Sequence, residues 1–181
     1  ENEWGDFVTG AYAFRMEDCA CVLWRDGRLT LPDQSGRRVR VEKRIQPAEN
    51  ALDVSYVLSC PEGWPEQLSF GVEMAFNFLT GSAPDRYYCS ESASLGRPML
   101  GECGAFPQIT HVALRDEWMR FECGIHMNCP ARVIHFPIDT VSQSEDGQER
   151  VHQGCLVLPC WTLPAEESSF AIRMTLYFRI V

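Results

Sequence analysis

An all-β, antiparallel fold is what this sequence predicts, and three observations predict it. Apolar residues recur with a period of two rather than 3.6. The segments that alternate are rich in Val, Ile, Phe, Tyr and Trp, which suit a pleated, half-buried surface. Pro and Gly punctuate the chain between them, and no ten-residue stretch has an amphipathic helical pattern. About ten strands at short spacing imply a β-sandwich or a barrel. We expect one domain over residues 1–181, because no composition shift marks a boundary and the length suits a single core.

The strands follow in order. CVLWRDGRLTL carries Asp26-Gly27, a pair that fits a tight hairpin turn. RRVRVEKRI alternates Val39 and Val41 with Arg37-Arg38, Arg40 and Lys43-Arg44, the pattern of a strand with one solvated face. LDVSYVLS alternates in the same way. In LSFGVEMAFNFL, Phe70, Val72, Met74, Phe76 and Phe78 point to one side. Gly71, Glu73, Ala75 and Asn77 point to the other. Residues 81–107 read as a long irregular loop over an end or face of the sandwich. ITHVALRDEWMRFECGI contains a second, weaker hairpin signal at Arg115-Asp116. RVIHF, RVHQGCLVLP and SFAIRMTLYFRIV complete the set.

Charge narrows the partners. The formal net charge is -9, and the 16 basic residues form no long run. Nucleic acid and anionic membrane surfaces are therefore excluded as expected partners. No stretch approaches the roughly 20 apolar residues of a membrane span, and no signal peptide is visible. The chain opens ENEWGDFV without Met, which we read as an excised piece of a longer protein. Its nine cysteines fit free thiols in a reducing cytoplasm better than a disulfide framework. CGIHMNC sets Cys123, His126 and Cys129 at three-residue spacing, but CxxC pairs and a nearby fourth ligand are missing. No metal and no cofactor are expected.

The densest polar stretch is HFPIDTVSQSEDGQERVHQG, residues 135–154. Pro137 cannot donate to a ladder, so the first strand is expected to end near it. A polar loop with a turn at Asp146-Gly147 then leads to a strand from Arg150 to Leu158. Glycosidases use two carboxylates at a set separation, and Glu145 and Glu149 are the candidates for such a pair. A structural role competes with this one. Asp139, Thr140, Ser142, Gln143 and Ser144 can hydrogen-bond loop backbone, and Arg150 can pair with Glu145 or Glu149. Were this loop buried, its polar groups would need a partner, which suits an interface. Sugar contact is the third role. Glu145, Glu149, Arg150 and Gln153 can bind hydroxyls, with Trp161 or Trp118 as a stacking platform, although Trp more often serves a core.

Several of these segments resemble one family. FGVEMAFNFL, LRDEW and FPIDTVSQSEDGQERVHQG, followed by Leu156-Val157-Leu158-Pro159 and Trp161, look like a single known domain. It is the C-terminal β-sandwich of glycoside hydrolase family 57 enzymes of the 4-α-glucanotransferase and α-amylase type. GDFV and RVEKRI are similar to that domain's first strands. The resemblance implies a galactose-mutarotase-like supersandwich. It implies that catalysis belongs to an N-terminal (β/α) barrel which this chain lacks, so the chain has no catalytic residues of its own. The expected partners are that barrel and an α-glucan or maltooligosaccharide. Where the family pattern has Trp, Glu and an aromatic, this chain has Ile134, Asp139 and His152.

The expected role is thus an accessory domain of an α-glucan enzyme. Three rivals stand beside it. A standalone carbohydrate-binding module requires an exposed aromatic platform. A mutarotase-like sugar isomerase requires His135 or His152 to meet a carboxylate such as Glu73 in a concave pocket. A purely structural interaction domain requires an exposed apolar patch of several hundred Å² or so.

Overall fold

The computed structural model describes residues 3–144, 147–165 and 167–181, with the side chain of Ser144 outside that description. The described residues form eleven strands and no helix. Hence no helix there is long and apolar enough to cross a membrane. The strands are β1 (Ala13–Glu17), β2 (Ala20–Thr30), β3 (Gly36–Ala48), β4 (Ala51–Ser59), β5 (Ser69–Gly71) and β6 (Met74–Phe76). They continue as β7 (Arg86–Cys89), β8 (Gly104–Asp116), β9 (Phe121–Ser144), β10 (Gly147–Thr162) and β11 (Ser169–Ile180). The pairs β1–β2, β2–β3, β3–β4, β7–β8, β8–β9, β9–β10 and β6–β10 are all antiparallel, as expected.

The chain divides into two compact units. The first comprises Glu1–Ser69 and Thr162–Leu176. Its strand order is β1-β2-β3-β4-β11. One face buries Leu29, Val39, Val41, Val54, Tyr56 and Leu58. The opposite face is ionic: Arg40 pairs with Asp26 at 2.9 Å and Arg44 with Glu17 at 2.6 Å. Lys43 departs from the expected solvated row. It sits over the Tyr56 ring at 5.3 Å, and burial lowers its pKa.

The predicted turn at Asp26-Gly27 does not form. β2 runs straight through it, with Asp26 opposite Arg40 and Gly27 opposite Val39. The glycine is there for space. A Cβ at Gly27 would lie 2.8 Å from the Phe7 ring, and the Arg28 N–H donates to Asp6 Oδ1 at 3.1 Å.

The second unit comprises Phe70–Trp161 and Tyr177–Val181. β9 is its spine: its first half pairs with β8 and its second half with β10. β10 also carries β6, and β8 carries β7. Val112, Leu114, Ile125, Val133, Val157 and Tyr88 form the core. Residues 81–107 are thus not one loop, since β7 lies inside them. The β8–β9 hairpin is real, but its turn is Glu117–Arg120, just beyond the Arg115-Asp116 pair. The alternation read in residues 70–78 holds for burial, with Val72 and Phe78 buried and Glu73 and Asn77 exposed. The single strand expected there is broken into β5 and β6.

Candidate functional site

The polar stretch is a β-ribbon, not a loop. β9 continues to Ser144, and β10 starts at Gly147 opposite it. Pro137 lies inside the ladder opposite Cys155, so it does not end the strand. Thr140, Val141 and Val151 suit strands, and Ser and Gln tolerate them when solvated, which extends the pairing past the proline. The register slips between His152 and Gly154, so Gln153 is the extra residue of a bulge. From Thr140 to Gln143 and from Gly147 to Val151 the ribbon is exposed on both faces. The expectation of a buried polar segment is corrected by this exposure.

Pairing assigns the faces, because register partners share one. Asp139 with His152, Val141 with Arg150, and Gln143 with Gln148 lie on one face. Thr140 with Val151 and Ser142 with Glu149 lie on the other. At the base of the first face is a cavity of about 390 Å³. Its polar lining is Thr80, Ser82, Glu102, Asp139, Arg150 and His152. Met99 and Pro137 supply apolar wall, and Gly81 and Gly101 complete the lining. The two glycines touch: the Gly101 N–H donates to Gly81 O at 2.7 Å. A Cβ on Gly81 would come within 2.9 Å of Gly101 Cα and 2.8 Å of His152 Nδ1.

Asp139 holds the cavity's charges in place. Its Oδ2 accepts from the Arg150 guanidinium, and its Oδ1 lies 3.1 Å from His152 Nδ1. A carboxylate only accepts, so that imidazole nitrogen carries the proton. Burial pushes the Asp139 carboxyl up, but the Arg150 and His152 bonds outweigh it and hold it below its ordinary value. Glu102 Oε1 accepts the Met99 N–H at 2.8 Å, which fixes the cavity's other carboxylate.

Cys155 Sγ lies 3.8 Å from His152 Nε2, giving a Cys-His-Asp sequence of contacts. It is no nucleophilic triad. Cys155 is fully buried, and burial pushes its thiol up to about 11, so the thiolate is scarce and inaccessible.

A second polar network lies around Glu122, which is fully buried. It accepts from Tyr177 Oη at 2.8 Å, Arg115 Nε at 2.7 Å and Arg179 at 2.5 Å. The Glu91 N–H donates to His111 Nδ1 at 2.8 Å, and His111 Nε2 lies 2.8 Å from Tyr177 Oη. The tautomer follows: Nδ1 accepts, Nε2–H donates to Tyr177, and Tyr177 donates to Glu122. Glu91, His111 and His126 offer donor atoms within 4.8 Å of one another. Both nitrogens of His111 are already used, so it has no lone pair to give a metal without breaking this chain of bonds. Cys123, His126 and Cys129 do not converge either. Three-residue spacing on β9 sends successive members to opposite faces.

The residues singled out from the sequence separate. Arg150 and Asp139 meet at the cavity. Thr140, Ser142, Glu149 and Gln153 are exposed, and Gln153 donates to Thr140 Oγ1 at 3.1 Å. Glu145 and the Ser144 side chain lie outside the described residues. Trp161 is 4% exposed, stacks on Phe70 at 6.5 Å and donates to Cys129 O at 3.3 Å. Its indole is a core group, not a surface. Trp118, by contrast, is 72% exposed on the β8–β9 turn. His135 is buried against Phe106 and Tyr88, and Glu73 does not line the cavity that holds His152. Sequence reasoning missed Glu102, Thr80 and Ser82, which reach the cavity from distant segments.

That turn belongs to an apolar end of the unit. Leu79, Trp118, Met119, Phe178 and Ile180 are all exposed there. The Val181 N–H donates to Arg120 O at 3.0 Å, and Phe121 stacks on Phe178 at 6.4 Å and lies tilted against Phe78 at 6.0 Å. The turn is held firmly. Asp116 Oδ1 accepts the Met119 N–H at 2.8 Å, and Asp116 Oδ2 accepts from Arg86 Nε at 2.7 Å. The same Arg86 guanidinium lies 5.7 Å from the Trp118 ring.

This fold is that of the galactose-mutarotase-like proteins. The chain is similar to the crystal structure of a putative aldose 1-epimerase from Escherichia coli K12, with a TM-score of 0.68 and 12% identity. That match covers 95% of this chain and 69% of the other. The chain belongs to the family described as alpha-amylase/4-alpha-glucanotransferase, C-terminal, whose model matches residues 1–176. It is 29% identical over 152 residues to a 4-alpha-glucanotransferase of Thermococcus kodakarensis, covering 84% of this chain and 19% of that protein. It is 30% identical over 112 residues to alpha-amylase 1 of Dictyoglomus thermophilum, covering 59% of this chain and 15% of that protein. The crystal structure of 4-alpha-glucanotransferase from Thermococcus litoralis superposes with a TM-score of 0.74 at 23% identity. It covers 99% of this chain and 24% of that one. The chain therefore spans less than a fifth of the two curated relatives' length.

Proposed function

We propose that the chain is a non-catalytic accessory module of a family 57 α-glucan enzyme, docked on that enzyme's catalytic barrel. The observation that carries this reading is the apolar end of the second unit. Solvent-exposed clusters of large apolar side chains mark interaction surfaces. Here Trp118 is fixed by Arg86 and Asp116, so little ordering is lost when a partner covers it. Family membership and the greater length of the relatives supply the partner: the remainder of the same enzyme. The chemistry then resides in that remainder, as a 4-α-glucanotransferase or α-amylase activity. The buried free thiols Cys60, Cys123 and Cys155 fit a reducing cytoplasm.

The test is complex formation. The chain and the rest of its polypeptide, made separately, are expected to co-elute by size exclusion. Trp118→Asp and Ile180→Asp are expected to abolish co-elution, while Val57→Asp, an exposed position in the first unit, leaves it intact. No complex with the unaltered chain overturns the reading.

A further inference from the structure

The cavity at the base of the ribbon remains, and the docking surface does not use it. We infer that it is a subsite for one glucose residue of an α-glucan, held by Arg150, Glu102, Thr80 and Ser82. The inference rests on the accessory-module reading above, which supplies the class of sugar.

Size comes first. About 390 Å³ lies at the lower end of the range of roughly 300–1,000 Å³ typical of small-ligand sites. Charge comes next. Asp139 is neutralised within the wall by Arg150 and faces His152. An anionic ligand meets Glu102 and Asp139, and a cationic one meets Arg150. A neutral polyol meets neither penalty. It finds acceptors in the two carboxylates and donors in Arg150, Thr80 and Ser82.

The lining is also amphipathic in the way that a pyranose is. Met99 and Pro137 offer apolar surface to the C–H face of the ring, and the polar groups surround it. Gly81 and Gly101 leave no side chain to fill the space, and their backbones lie in contact. Above the cavity, Gln143 and Gln148 share the face of Arg150 along the ribbon. A glucan leaving the cavity on that side meets two more amides. The exposed carboxylate Glu149 lies on the opposite face and takes no part.

The experiment is calorimetric titration of the chain with maltotriose and maltoheptaose, with cellotriose as the linkage control. The expected result is a dissociation constant of about 1–10 mM or tighter for the α-linked sugars. Arg150→Ala and Glu102→Gln are each expected to weaken it at least about tenfold, with Glu149→Gln unchanged. Glu102→Gln keeps the acceptor for the Met99 N–H, so it reports on the sugar even if Arg150→Ala loosens the ribbon. Binding that both cavity variants leave intact puts the sugar elsewhere, the groove at Arg44 and Arg173 included, and overturns the inference. So does equal binding of cellotriose. No heat from a chain that still forms its complex overturns the subsite and leaves the module reading standing.

Discussion

Asp139 and His152 are register partners across β9 and β10, and Oδ1 of the one lies 3.1 Å from Nδ1 of the other. The same carboxylate takes the Arg150 guanidinium. One acidic side chain thus ties the last turn of ladder before the exposed ribbon to the cavity beneath it.

A pH dependence follows. The Asp139 pKa is held below its ordinary value of 3.8 in the folded chain. Its stabilising contribution is therefore fully present above that value and is lost as pH falls through the lowered folded value. Protection of the amides of residues 139–143 and 148–153, relative to their intrinsic exchange at the same pH, is expected to fall as pH drops below the ordinary carboxylate range, ahead of the core of β8 and β9. Asp139→Asn should remove that pH dependence. A ribbon that opens at the same pH in both proteins contradicts the assignment.

Glu122 is a fully buried charge in the second unit. Burial raises its carboxyl, but Tyr177, Arg115 and Arg179 together bring it below its ordinary value. Glu122→Ala strands the buried ends of those partners and is expected to cost about 3–5 kcal/mol in urea unfolding. Glu122→Gln, which keeps an acceptor for Tyr177, should cost less.

Gly154 sits where β10 meets β6. A Cβ there would lie 2.5 Å from the backbone oxygen of Phe76, and backbone cannot swing aside as a side-chain tip can. Gly154→Ala is expected to destabilise by about 1–3 kcal/mol, as overpacking does. Thermal unfolding read by circular dichroism checks the size.

The two tryptophans should part company. Trp161→Ala removes a buried ring and its bond to Cys129 O, so it should cost about 3–5 kcal/mol. Trp118→Ala removes an exposed ring and should change stability by no more than about 0.5 kcal/mol. Denaturant midpoints of the two variants settle the contrast.

How far the sequence carried can be judged residue by residue. Val54, Tyr56 and Leu58 were legible because a strand with one buried face shows its period directly. The turn expected at Asp26-Gly27 was not there, because Gly27 answers to Phe7 and Asp6, twenty residues away in sequence. Pro137 misled for a related reason: its lost N–H weakens a ladder but does not decide where pairing stops. The site was less legible than the fold. Asp139 and Arg150 were in view as polar groups near one turn. Thr80, Ser82 and Glu102 were not, since they join the cavity through tertiary folding that no local pattern records. Trp161 and Trp118 look alike in sequence, and only burial tells them apart.

Hydrogen exchange across the apolar end reports directly on docking. Amides of residues 117–121 and 178–181 are measured in the isolated chain and again in the longer polypeptide. Docking predicts slower exchange in the longer protein, confined to those segments. Equal exchange at residues 117–121 and 178–181 in both would contradict a docked module.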